Sequence, residues 1–169
     1  MTTPTPCSAA ETDPAASCFF NALLRETVTW RLATTRQGEY IRLTVDAGEL
    51  HLSLLHRSAS NECRFAWPIL WHHQGQARPV DFDQALCRIL ATPALVGELD
   101  AESRALFQAR VLESRANTRA SLAERDDIEH LQRGPLTFAE AEQGLLAGHA
   151  FHPAPKSRAP FSEAEAREF

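Results

Sequence analysis

The chain has 169 residues, of which 17 are Lys or Arg and 22 are Asp or Glu, for a formal charge of −5 and a pI near 5.8. That balance excludes a diffuse basic surface, so neither nucleic acid nor an anionic membrane is expected as a partner, and any anion site has to be local. One detail of composition stands out: Lys156 is the only lysine among the 17 basic residues, every other one being arginine.

At 44% hydrophobic and 23% charged, the chain suits one globular domain, or one domain and a fragment of another. No apolar run approaches the ~18–20 residues a membrane-spanning helix needs. The opening MTTPTPCSAAETDP has neither the basic start nor the apolar middle of a signal peptide, so a cytoplasmic location is expected. Cys7, Cys18, Cys63 and Cys87 form no CxxC pair, which fits free thiols and neither a zinc site nor a disulfide scaffold.

Residues 1–14 carry almost nothing to bury and read as a flexible tail. Asp13 before Pro14 reads as an N-cap with proline at the first helical position, opening a short amphipathic helix through Phe19, Phe20, Leu23 and Leu24 that ends near Thr27. From Val28 the period changes. VTWRLATT, YIRLTVD and ELHLSLLH alternate β-branched or aromatic residues with polar ones, and glycine marks the reversals at RQGE and DAG, so an antiparallel meander is predicted. CRFAWPILWH adds one or two strands, with Pro68 at an edge or bend.

Such a sheet needs a helical layer. DFDQALCRILATP supplies a first helix stopping at Pro93, and ESRALFQARVLESRANTRASLAER a long surface-lying one with Leu106, Val111, Leu112 and Leu122 as its apolar residues. Thr137 and Glu140 form a capping box for a third helix ending at Gly148, and Ser162 with Glu165 opens a fourth at the end of the sequence. A capping box so near Phe169 suggests the front portion of a longer protein. The fold class is therefore α+β: an N-terminal helix, a mostly antiparallel sheet, then several helices. Trp30, Trp67 and Trp71 are expected to pack sheet against helices, and His51, His56, His72 and His73 to sit at strand ends or on a polar face.

Residues 148–161 concentrate His149, His152, Lys156, Ser157 and Arg158 among Pro153, Pro155 and Pro160. The prolines exclude a helix and predict an extended or polyproline-like strand, whose alternation would put His152, Lys156 and Arg158 on one side. A compact ammonium and a planar guanidinium on one stiff segment suit a polyphosphate. A zinc site from His149 and His152 is disfavoured, because Gly148 and Pro153 break the helix that would align them.

The stretch EQGLLAGHAFHPAPKSRAPF resembles the motif of the siderophore synthetases that work without a nonribosomal peptide synthetase, the IucA/IucC or aerobactin synthetase family, which runs GHPxHPxxKxRxGF. Gly148, His149, His152, Pro153, Lys156, Arg158 and Phe161 match it in order and spacing, while Ala150 and Pro160 replace a proline and a glycine. The resemblance implies an ATP- and Mg2+-dependent ligase that adenylates a carboxylate of citrate or a citrate derivative, to which an amine, hydroxylamine or alcohol is then joined during siderophore synthesis for iron acquisition. It further implies a cupped-hand enzyme in which residues 15–147 form the thumb and residues 148–169 begin the ATP-binding region. His149, His152, Lys156, Ser157 and Arg158 would then hold ATP, no catalytic residue is assigned, and a homodimer is suggested. The fragment alone would be inactive. The competing expectation is a non-catalytic interaction or dimerisation domain that keeps a degenerate nucleotide-binding motif.

Overall fold

The computed structural model describes residues 13–123, 135, 137 and 150–157. Helix α1 (Pro14–Glu26) begins where the Asp13–Pro14 pair predicts: the Asp13 carboxylate accepts from the Ala16 N–H, and Thr27 closes the C-terminus with its N–H on the Leu23 carbonyl. Asp13, counted above with the tail, is itself buried. α1 is less amphipathic than its spacing suggests, because Ala15, Ala16, Cys18, Phe19, Phe20, Asn21, Ala22, Leu23 and Leu24 are all buried.

The meander follows as β1 (Trp30–Thr35), β2 (Gly38–Val45) and β3 (Gly48–Arg57), paired antiparallel in that order. CRFAWPILWH makes two strands, β4 (Cys63–Phe65) and β5 (Ile69–His73), with Pro68 between them. Both lie on the same edge of β3, β4 opposite Leu54–Arg57 and β5 opposite Glu49–His51. A sixth strand, β6 (Gln76–Val80), completes the sheet. It is absent from the sequence reading because QARPV is polar and contains Pro79, which signals a strand only at an edge, and an edge is where β6 lies.

One face of the sheet carries Ile41, Leu43, Leu50, Leu52, Ile69 and Trp71, all buried. α2 (Phe82–Leu90) covers it from a capping box formed by Asp81 and Gln84, joined by α1 and the short α3 (Pro93–Val96). At the centre, the Phe20 ring meets Phe65 and Phe82 edge-on, with centroids 5.5 and 5.9 Å away, the arrangement aromatic quadrupoles prefer. The tryptophans pack as expected. Trp67 meets Phe82, Trp30 donates its indole N–H to the Leu24 carbonyl, and Trp71 stacks beneath the guanidinium of Arg88.

The long helix α4 (Ala101–Ala123) lies at the surface, capped by Asp100, whose carboxylate accepts from the Ser103 N–H. Its buried residues are Val111, Ser114 and Thr118, whereas Leu106 is 53% exposed. Of the predicted apolar residues Val111 is in the core and Leu112 packs against it, and the rest of the buried face is polar. The helices expected after Thr137 and from Ser162 fall outside the described residues, apart from Thr137 itself. Among the described residues no helix is long and apolar enough to cross a membrane.

Candidate functional site

The path from the core to the candidate residues runs through α4. Asp13 is 3% exposed and binds both Arg115, at 2.7 Å, and Arg119, at 3.2 Å. Arg115 reaches on to Asp83 in the first turn of α2 and lies over the Phe82 ring. One guanidinium thus links the starts of α1 and α2 to the middle of α4, a geometry that arginine's planar fork permits.

Beside Arg115 on this helix, Ser114, Asn117 and Thr118 share a face. The Thr118 hydroxyl donates to the Ser114 carbonyl. The Ser114 hydroxyl accepts from the Lys156 backbone N–H at 2.8 Å, and the Asn117 amide donates to the Lys156 carbonyl at 3.0 Å. Both backbone polar groups of the sole lysine are therefore held by α4, and Ala154 is buried beside them. The Lys156 side chain, half-buried, has no hydrogen bond or ion pair among the described residues.

The segment is a turn, not the extended strand predicted. The Ser157 N–H and hydroxyl both donate to the Ala154 carbonyl, with Pro155 at the second position, where its fixed φ favours a turn. The proline count correctly excluded a helix but could not separate a turn from an extended strand. Side-chain alternation fails in a turn, so the alternation expected to put His152 and Lys156 on one side does not hold over residues 150–157. His152 is exposed, and its Nδ1 accepts from the Ala154 N–H, which leaves Nε2 as the protonated nitrogen of the neutral ring. His149 and Arg158 lie outside the described residues.

Two hollows flank Phe151, over whose ring Arg25 sits. One, of about 360 Å³, is lined by apolar side chains including Phe19, Leu23, Leu95 and Phe107. The other, about 300 Å³, carries Arg25, Arg57 and Asn61 beside Trp30. His152, Lys156 and Ser157 line neither hollow.

The outer face of the sheet holds a second polar cluster. Arg42 grips Glu49 with two nitrogens, Glu49 Oε2 lies 3.3 Å from the His51 ring, and His51 stacks on His72 with centroids 3.7 Å apart. Arg42 holds the Glu49 carboxyl below the usual range, and burial lowers His51. The sequence reading put His51 on a polar face but had no signal for its partner, because the β3–β5 register that brings His72 alongside is non-local. Of the described thiols, two are buried, which pushes Cys18 up to about 11 and raises Cys63, whereas Cys87 is exposed. Among the described residues no group of three His, Cys, Asp or Glu side chains is placed to hold a metal ion.

A family model described as the IucA / IucC family matches residues 137–169. An N(2)-citryl-N(6)-acetyl-N(6)-hydroxylysine synthase of Escherichia coli is 39% identical over 164 residues, covering 97% of this chain and 28% of that protein. The rhizobactin siderophore biosynthesis protein RhbC of Rhizobium meliloti is 33% identical, covering 72% of this chain and 21% of its own length. In three dimensions the chain is similar to ATP-bound aerobactin synthetase IucA of Klebsiella pneumoniae, with a TM-score of 0.83 and 38% identity over 92% of this chain and 28% of that one. The chain thus spans about a quarter of the length of these relatives. With its motif, nearly its whole sequence and its fold all shared with siderophore synthetases, it belongs to the IucA / IucC family and represents that family's N-terminal region.

Proposed function

We propose that this chain is the N-terminal part of a cytoplasmic, ATP-dependent siderophore synthetase that activates a carboxylate of citrate, or of a citrate derivative, for condensation with an amine, hydroxylamine or alcohol. Residues 15–147 form a thumb-like unit on this reading, and residues 148–169 begin the nucleotide-binding region. The observation that carries it is Lys156: the lysine demanded by the family motif sits on a turn whose backbone is fixed to α4, and its ammonium has no partner among the described residues.

In carboxylate activation an oxygen of the carboxylate displaces pyrophosphate from the α-phosphorus of ATP, and negative charge gathers on the transferring and leaving phosphates. A positioned ammonium offsets that charge as it develops. The Nε2–H of His152 would add a donor, and the family motif offers Arg158 and His149 as further ones. Ser157 acts here through its turn-closing hydrogen bond. Among the described residues no group of three His, Cys, Asp or Glu side chains is placed to hold Mg2+. The relatives' names support the substrate class: the Escherichia coli protein makes a citryl-hydroxylysine, and the Klebsiella pneumoniae structure is ATP-bound.

The test is pyrophosphate release by the full-length protein with ATP, citrate and an amine. Lys156→Ala is expected to lower it by about tenfold or more, the consequence of losing one charge-assisted phosphate contact of ~1.5–3 kcal/mol. Parental turnover in that variant would overturn the assignment of Lys156, whereas no pyrophosphate release by the parental full-length protein would favour a non-catalytic interaction domain.

A further inference from the structure

We infer that Ser114 and Asn117 of α4 are positioning residues for Lys156, setting where its ammonium meets the phosphates; the inference rests on the reading of Lys156 given above. Lysine has a long flexible stem, so a lysine that must act at one point needs its backbone held firmly. At Lys156 the N–H is taken by the Ser114 hydroxyl and the carbonyl by the Asn117 amide. These bonds lie on the two sides of one α-carbon, so together they fix both adjoining peptide planes.

The burial pattern of α4 points the same way. Ser114 and Thr118 are 1% and 0% exposed, at positions where a helix packed only for stability would carry aliphatic side chains. The Thr118 hydroxyl is spent on the Ser114 carbonyl, which leaves the Ser114 hydroxyl turned to the loop. The seam also continues into the Asp13–Arg115–Asp83 network, so the anchor of Lys156 is tied to the starts of α1 and α2. None of these residues belongs to the motif.

The deciding variant is Asn117→Ala in the full-length protein. Asn117 is half-buried, and alanine has the higher helix propensity, so folding is not at stake. Asn117→Ala is expected to raise the KM for ATP by about tenfold, in keeping with the sensitivity of reacting geometry to small displacements, while leaving the KM for citrate unchanged. Ser114→Ala should do the same, with Ser114→Thr restoring most of the loss. In a Lys156→Ala background Asn117→Ala should have no further effect, whereas a purely structural role would cost the same factor with and without the lysine. An Asn117→Ala variant with parental ATP kinetics, or one whose effect survives the loss of Lys156, would overturn the inference while leaving the assignment of Lys156 standing. Parental turnover in Lys156→Ala alone would overturn both.

Discussion

Against the sheet, α1 and α2 bury rings: Phe19, Phe20 and Phe82 meet one another and Phe65 edge-on, with aliphatic side chains of the strands beneath. Along α4, beside the buried Val111, the contacts are a carboxylate between two guanidinia, two hydroxyls and an amide. The first contact is roughly proportional to area and indifferent to small rotations. The second is directional, since each bond needs its partner within a few tenths of an ångström and near linearity. The apolar side supplies stability, and the polar side supplies position, which is what a site carried on a turn requires.

The largest effect should come from the apolar side. Phe20→Ala removes a ring with 0% exposure and is expected to cost about 3–5 kcal/mol in denaturant unfolding; a loss below 1 kcal/mol would show that the ring cluster is not the main support. Next comes Asp13→Ala, which removes a helix cap and leaves Arg115 without its buried partner, for an expected loss of about 3 kcal/mol. Asp13→Ser keeps the cap but not the charge and should recover about 1 kcal/mol of that. Equal losses in the two variants would assign the whole effect to the ion pairs.

The smallest effect is a slope, and it belongs to the outer face. Because burial lowers the His51 imidazole below the ordinary 6.5, the unfolded chain takes up a proton first as pH falls. Stability should therefore decline with acidification from about 6.5 downwards. Glu49, held low by Arg42, stabilises the fold above the ordinary 4.5 and loses that contribution as pH falls below it. His51→Gln should flatten the upper part of a Tm–pH curve and spare the lower part; an unchanged curve would place the proton uptake elsewhere.

Local signals in the sequence were sufficient for α1, the β1–β3 meander and α2, because a cap, a proline, alternating β-branched residues and glycine reversals each act over a few residues. β6 escaped because its proline and arginine suppress the strand pattern. The buried side of α4 escaped for another reason: Ser114 and Thr118 look like surface residues until their partners are known, and Lys156 lies 42 residues from Ser114. Composition and motif made Lys156 conspicuous, but the turn that presents it and the helix face that holds it are tertiary facts.

The Ala154–Ser157 turn has a thermodynamic consequence. Fixing the backbone of one residue costs roughly 1–2 kcal/mol of conformational entropy, and at Lys156 that cost is met when the protein folds, through Pro155, Ser114 and Asn117. An anion engaging the ammonium then has only the side-chain torsions left to quench. On the proposed reading, the affinity of this turn for a phosphate is set partly by the folding of α4, and a substitution that loosens the helix face would appear as weaker binding without touching the ligand.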